Sequence, residues 1–193
     1  MKTLHLEKNG IRGLSISESF THENTQSVLA GVVMSNEFQI DGFVFESATI
    51  KGDDITEKII SMYRKLNRDD ISYILLPGTI LSMYNIVNLE EILANTQIPV
   101  IAVNSTDSSG LMDSIKNHFP EDFKKKLTQY QNLGPREKIL LATNNEIFVR
   151  AEGCTIKDCN ILLNKLTLQG GIPEPQRISQ LLAKTMLKTN YSQ

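Results

Sequence analysis

The sequence predicts an α/β fold in which a mixed sheet begins as an antiparallel meander, continues in βαβ units and carries helices on both faces. Three strand-like segments fill the first 50 residues without a helix between them, and helices and strands then alternate as far as residue 103. Such alternation implies parallel strands joined by right-handed crossovers. The 40% hydrophobic content is enough for a core. We expect a single domain over residues 1–193.

The three opening segments differ in how their apolar residues are spaced. Residues 11–17 read as a strand of small residues, and residues 27–35 form a nearly continuous apolar run. A continuous run is typical of a strand that is covered on both faces. Residues 38–50 alternate in part, with two phenylalanines among polar residues. Together these patterns predict the meander.

The hydrophobic period changes at residues 52–54, Gly-Asp-Asp, where a helix is predicted to begin. Asp54 is followed by Glu57 at the spacing of a capping box, with Asp54 in the N-cap position. The later elements are a helix over 55–66, a strand over 71–76, a helix from 89, a strand over 98–103, helices over 111–119 and 121–133, a hairpin over 138–143 and 146–151, and helices over 155–168 and 175–187.

Charge gives no global support for nucleic-acid binding. The chain has 20 basic and 22 acidic residues and a net charge of −2, whereas a strong nucleic-acid binder usually carries a basic excess or stripe. The run Lys124-Lys125-Lys126 could contact phosphates. Glu121 and Asp122 lie beside it, and mixed charge of this kind favours a solvated helix face.

The two cysteines, Cys154 and Cys159, match no zinc-binding spacing. If the residues between them are helical, the thiols lie off one face, and a mutual disulfide is not expected. The first residues contain no apolar leader, and no apolar run reaches the ~18 residues that span a membrane. We therefore expect a cytoplasmic protein with no membrane partner.

Several short motifs in a fixed order resemble an archaeal family known as domain of unknown function ninety-nine, which is related to endonuclease V. The similarity extends from about residue 11 to 183 and implies a ribonuclease H-like fold. The motifs are Gly-Asp-Asp-Ile-Thr-Glu-Lys-Ile at 52–59, Pro-Gly at 77–78 with Asn-Ile-Val-Asn at 85–88, Ile-Pro-Val-Ile at 98–101, His-Phe-Pro at 118–120 and Gly-Gly-Ile-Pro-Glu-Pro-Gln-Arg at 170–177.

The resemblance implies cleavage of nucleic acid near a deaminated base, with Mg or Mn held by carboxylates from neighbouring strand ends. This chain departs from the family at those ends. Ser17 and Glu18 stand where the family tends to have two acids, and Pro77 replaces the acid of a Leu-Asp-Gly motif. Because successive strand residues point to opposite faces, Glu18 cannot simply replace an acid at position 17. Gln180 replaces a histidine common in the last helix.

Acidic residues remain that could form a catalytic site. An active enzyme would use Glu18, Asp54 and Glu57 in catalysis, with Glu18, Asp53 and Asp54 as the metal ligands. The alternative for the three acids at residues 53–57 is a helix cap with first-turn acids favoured by the helix dipole. Ser17 and Glu18 are either the remnant of a site or an ordinary strand end.

Four residues are candidates for contacting nucleic acid. Tyr84 and Asn85 lie in the loop after the predicted strand over 71–76, where ligand contacts are common, although packing explains them equally. Glu174 and Arg177 belong to the closing motif and could line a cleft or form a local ion pair.

Three functions follow from these alternatives. The one we favour is a catalytically degenerate relative of endonuclease V that retains DNA or RNA binding. We assign no cofactor to it. The second is an active Mg- or Mn-dependent nuclease with a shifted carboxylate set. The third is a non-enzymatic scaffold that forms a homodimer or binds a protein partner.

Overall fold

A computed structural model of the protein describes residues 4–8, 10–106, 115–116, 118–119 and 123–190. Its elements, in chain order, are β1 (Arg12–Ser19), β2 (Gln26–Ser35), β3 (Ile40–Thr49), α1 (Ile55–Leu66), β4 (Ile71–Leu76), β5 (Ile80–Leu81), β6 (Asn85–Ile86), α2 (Leu89–Thr96), β7 (Val100–Asn104), α3 (Phe123–Asn132), β8 (Glu137–Leu140), β9 (Glu146–Glu152), α4 (Ile156–Leu166) and α5 (Glu174–Asn190).

Seven strands form one mixed sheet in the order β3-β2-β1-β4-β7-β9-β8. The first three strands pair antiparallel, which confirms the predicted meander. β4 runs parallel to β1, and β7 runs parallel to β4, as the βαβ pattern predicted. β9 and β8 add an antiparallel hairpin beyond β7. The carboxyl ends of β1, β4 and β7 therefore lie at the same edge of the sheet.

Helices cover both faces of this sheet, as the sequence predicted. α1 and α2 bury Ile55, Ile59 and Ile92 against one face. α4 buries Leu162 and Leu166 in a second core on the other face, and α5 packs on β1 and β2. Burial on both faces explains why the residues of β2 and β4 form almost continuous apolar runs.

One part of the observed fold was not predicted. Residues 80–86 form a small hairpin of two-residue strands, β5 and β6, which the sequence did not predict because strands this short carry no periodicity. The predicted helix over 111–119 lies mostly outside the described residues. None of the described helices is long and apolar enough to cross a membrane.

Candidate active site

The turn between β5 and β6 lies beside the carboxyl end of β1. Ser82, Met83 and Tyr84 have φ values of 45°, 53° and 69°, so three consecutive non-glycine residues adopt the left-handed conformation. Each costs about 1–2 kcal/mol relative to the right-handed form, and surrounding contacts must offset that cost. The carbonyl of Ser82 accepts a hydrogen bond of 2.7 Å from the backbone N–H of Lys51.

Ser17 and Glu18 project to opposite sides of β1, as the alternation of strand residues predicted. The Ser17 hydroxyl is buried on the α5 side, 2.7 Å from the hydroxyl of Ser179. The Glu18 carboxylate accepts hydrogen bonds from the N–H and the hydroxyl of Ser82, at 2.5 and 2.6 Å. Burial raises the pKa of Glu18, and the Ser82 hydrogen bonds only partly oppose this shift. The hydrogen bonds from Ser82 to Glu18 therefore stabilise the left-handed turn.

The end of β4 supplies no carboxylate, because Pro77 follows Leu76 there. The polar side chain beside Gly78 is the neutral amide of Asn104, from the end of β7. The ends of β4 and β7 thus present a proline and an amide, and of the three parallel strands only β1 carries an acid at its end, Glu18.

Asp54 stands at the N-cap of α1, but its side chain makes no cap hydrogen bond, so the predicted capping box with Glu57 is wrong. Its carboxylate instead accepts hydrogen bonds from the N–H and hydroxyl of Thr49 and from the amide of Asn85. Burial raises the pKa of Asp54, but these hydrogen bonds outweigh it and the pKa is lowered.

The buried Asn85 takes over the capping role from a distant part of the chain. Its side-chain oxygen accepts the N–H of Ile55 at 3.2 Å. Its amide donates to the Asp54 carboxylate at 2.7 Å and to the carbonyl of Thr49 at 3.0 Å. All of these hydrogen bonds are internal, so the structure gives Asn85 a packing role.

A buried lysine lies at the centre of this region. The Lys126 side chain is 3% exposed, and its ammonium group lies 2.5 Å from an Asp53 carboxylate oxygen, 2.5 Å from the Gly52 carbonyl and 3.1 Å from the Tyr84 carbonyl. Lys125 contacts the other Asp53 oxygen at 2.6 Å. Burial raises the pKa of Asp53, but the two lysines outweigh it and lower the pKa.

The prediction of a solvated lysine run is wrong for Lys126, although Lys124 and Lys125 are exposed. Lys126 lies three residues after Phe123 and four before Tyr130, on the apolar side of α3. That helical spacing was the signal in the sequence that could have identified a buried lysine.

Tyr84 packs against the segment that precedes α3. Its ring centroid lies 5.1 Å from that of His118 and 5.6 Å from that of Phe119. The Phe119 ring in turn lies 5.4 Å from the Lys126 ammonium, within range of a cation–π contact. These contacts tie the left-handed turn to Lys126.

Glu174 and Arg177 lie at the start of α5, where they form an i,i+3 ion pair of 3.3 Å. Arg177 also donates to the backbone carbonyl of Gln169 at 3.4 Å. Among the described contacts, neither residue touches the carboxylates at positions 18, 53 and 54. The structure thus shows the local ion pair, and Arg177 also lines a small pocket with Gln169, Gly171 and Ile172.

A divalent cation of the kind that the resemblance implies does not fit these residues. The Glu18 carboxylate is hydrogen-bonded to Ser82. The Asp53 carboxylate is hydrogen-bonded to the ammonium groups of Lys125 and Lys126. In the part of the chain that the structure describes, no group of three or more His, Cys, Asp or Glu side chains could hold a metal ion. Lys126 supplies the positive charge at Asp53 instead.

A cleft of about 1010 Å³ adjoins Asp53 and is strongly acidic. Glu152 lies on its wall, and burial together with the charge of Glu90 raises the pKa of Glu152. Such a wall repels phosphates. Among the described residues that line the cleft, the charged ones are Asp53, Glu57, Glu90, Glu91, Glu137, Glu152 and a single basic residue, Arg150.

Comparisons with known proteins assign the chain to one family. The family model described as "Endonuclease dU" matches residues 9–187. A UPF0215 protein from Pyrobaculum calidifontis is 28% identical over 170 residues, which cover 88% of this chain and 93% of that protein.

The solved structures that resemble the fold include the following two. A protein of unknown function from Archaeoglobus fulgidus has a TM-score of 0.77 at 27% identity, covering 91% of this chain and 98% of that one. Endonuclease V of Ciona intestinalis, in complex with a 24mer DNA that contains inosine, has a TM-score of 0.62 at 17% identity, covering 96% and 88%. The likeness to endonuclease V shows the ribonuclease H-like fold.

Proposed function

Because the chain belongs to the endonuclease dU family, we propose that it is a catalytically degenerate member, one that keeps the ribonuclease H-like scaffold without a metal-dependent nuclease site. Nucleases of this general type need two or three converging carboxylates to hold a cation that activates water. This chain has Ser17 and Pro77 at two of the expected acidic positions.

The observation that carries the proposal is the position of Lys126. Its ammonium group fills a site bounded by three oxygen atoms, from Asp53, Gly52 and Tyr84. Oxygen atoms at such distances are the ligands that a hard divalent cation prefers. A resident ammonium group competes with such a cation for Asp53 by charge and by volume.

The test is a cleavage assay with Mg²⁺ or Mn²⁺ on DNA and RNA strands that contain one uracil or one inosine. We expect no more product than in chelator-treated controls. Metal-dependent cleavage by the wild type that is lost in Glu18→Gln or Asp54→Asn would overturn the proposal and support the shifted carboxylate set. Glu57→Gln extends the test to the third acid of that set.

The proposed partner of the scaffold is DNA or RNA, since a structural relative is seen with DNA. The cleft beside Asp53 is acidic and repels a phosphate backbone. Nucleic acid would therefore bind at other surfaces, and we expect that binding to be weak. We expect a dissociation constant no tighter than the roughly 10⁻⁴–10⁻⁶ M of non-specific binding at physiological salt. Fluorescence anisotropy with a uracil-containing strand and its thymine-containing counterpart measures both affinity and preference.

A protein-interaction role is the second candidate, and the edge strand β3 favours it. Ile40, Phe43 and Phe45 are exposed there, with Phe43 half exposed at 50%, and β3 pairs with β2 in the described sheet at the end of its strand order. An edge strand with large apolar side chains is suited to antiparallel pairing with a second copy of itself. Light scattering on the wild type and on Phe43→Lys tests this, because a dimer formed through β3 dissociates in the variant.

A further inference from the structure

The two cysteines of the chain lie together at the start of α4. The sulfur atoms of Cys154 and Cys159 are 3.6 Å apart, and both thiols are free. The condition under which the thiols would lie off one face is not met, because Cys154 precedes the helix. Cys154 stands just before the N-cap residue Thr155, and Cys159 is the fourth helical residue. These two positions pack together in a hydrophobic staple.

The backbone around the pair is held firmly on both sides. Thr155 and Asp158 form a complete capping box, with Thr155 accepting the N–H of Asp158 at 3.1 Å and the Asp158 carboxylate accepting the N–H of Thr155 at 3.0 Å. On the other side, Gly153 adopts φ +81° with its backbone against Leu93. The proximity of the sulfurs is therefore built into the fold.

We propose that Cys154 and Cys159 form a redox-reactive dithiol that closes to an intramolecular disulfide on exchange with small disulfide compounds. Closure requires the sulfurs to approach from 3.6 Å to about 2.05 Å. The pair is then a modification site on the wall of the acidic cleft, where Cys154 lies.

The two thiols have different exposures and so different roles. Cys154 is partly exposed and lines the cleft, whereas Cys159 is fully buried. The hydrogen bond with Cys154 and burial raise the pKa of Cys159. Because a reagent in the cleft reaches Cys154 and not the buried Cys159, Cys154 attacks first, and Cys159 is the resolving thiol.

Cystamine, a disulfide with two ammonium groups, suits this site. The Cys154 thiol loses its proton to solvent, and its sulfur attacks one cystamine sulfur, which forms a mixed disulfide and releases one cysteamine. Cys159 then loses its proton and attacks the Cys154 sulfur, which releases the second cysteamine and leaves the protein disulfide. Two protein thiols are oxidised, and one cystamine is reduced to two thiols. The acidic cleft favours this cation over anionic oxidised glutathione.

The experiment follows intact mass and free-thiol content of the native full-length protein during incubation with cystamine. The chain has two cysteines in all, so we expect the wild type to lose both thiols and two hydrogen masses without a retained adduct. Cys159→Ala is expected to retain one cysteamine adduct on Cys154. Cys154→Ala is expected to stay unmodified until denaturant exposes Cys159. Oxidised glutathione is expected to react at least several-fold more slowly.

A wild type that retains a cysteamine adduct, as Cys159→Ala does, would show that the ring does not close and would overturn the proposal. So would two unreacted thiols in the native protein that react promptly in urea. A disulfide that links two copies on a non-reducing gel would also refute it. Treatment with a reductant must return both thiols, since the proposed closure is reversible.

Discussion

The ammonium group of Lys126 lies 2.5 Å from a carboxylate oxygen of Asp53, in a position where its side chain is almost completely buried. The two residues are 73 positions apart in the sequence, and their contact joins the start of α1 to α3. The same ammonium group also donates to the carbonyl groups of Gly52 and Tyr84, so the Asp53 carboxylate is held by an internal positive charge.

Replacing Lys126 by methionine is expected to destabilise the protein by about 2–3 kcal/mol, because Asp53 and two carbonyl groups lose a charged hydrogen-bond donor. Lys125 bonds to the same carboxylate but is 60% exposed, so Lys125→Met is the matched control, expected to cost less than about 1 kcal/mol. Urea unfolding at neutral pH measures both. Equal losses of unfolding free energy in the two variants would show that burial of Lys126 adds nothing to stability.

Glu18→Gln is expected to leave the protein as stable as the wild type at neutral pH, or more stable. The amide oxygen can still accept both Ser82 hydrogen bonds, and a buried charge is removed. Burial raises the pKa of Glu18 in the folded protein, so its contribution to stability is present below the unfolded pKa of about 4.3 and is lost as pH rises through the folded pKa.

The difference in melting temperature between Glu18→Gln and the wild type should therefore shrink as pH falls through the raised folded pKa of Glu18, and the shrinkage should be complete below the unfolded pKa of about 4.3. Asp54→Asn is the opposite control, since hydrogen bonds lower the pKa of Asp54. The Asp54 carboxylate stabilises the wild type above the unfolded pKa of Asp54, and this stabilisation is lost as pH falls through the lower folded pKa. A Glu18→Gln protein that is less stable at pH 8 than at pH 4, relative to the wild type, contradicts this account.

Asn85→Ala is expected to cost about 2–4 kcal/mol, because the Ile55 N–H loses the acceptor that caps it, and the Asp54 carboxylate and the Thr49 carbonyl each lose one donor. Asn88 is a matched control on the same segment, since its side chain accepts the N–H of Glu91 as an ordinary N-cap of α2. Asn88→Ala should cost about 1 kcal/mol. Thermal unfolding of the two variants distinguishes a tertiary cap from a local one, and similar losses would count against the tertiary role.

Gly153→Ala tests the packing that positions Cys154. A Cβ atom at residue 153 would lie 2.7 Å from a Leu93 methyl group and 3.2 Å from the Pro99 Cα, with φ at +81°. Gly134 has a similar φ of +65° and nothing within 4 Å of its Cβ position. We expect Gly134→Ala to cost about 1 kcal/mol for its backbone conformation alone, and Gly153→Ala to cost about 2–4 kcal/mol because a clash is added. Chemical denaturation of both variants gives the comparison.

Much of the architecture could be predicted from local patterns. Continuous apolar runs gave β2 and β4, helical spacing gave α1 and α4, and the strand–helix alternation gave the parallel order of β1, β4 and β7. The opposite orientations of Ser17 and Glu18 also followed from strand geometry. The short β5–β6 hairpin could not be predicted, since its left-handed residues, Ser82, Met83 and Tyr84, are not the glycines or asparagines that usually mark such a turn.

The sequence by itself determined the mixed sheet and the neutral residues Ser17 and Pro77 at the ends of β1 and β4, because side-chain identity and periodicity are local properties. The partners of the remaining charges were decided by the tertiary structure alone. Asp54 bonds to Thr49 and Asn85 instead of capping its own helix, and Asp53 meets a lysine more than 70 positions away. The Lys126 side chain that pairs with Asp53 is buried, and burial is a property of the folded chain that no local spacing records.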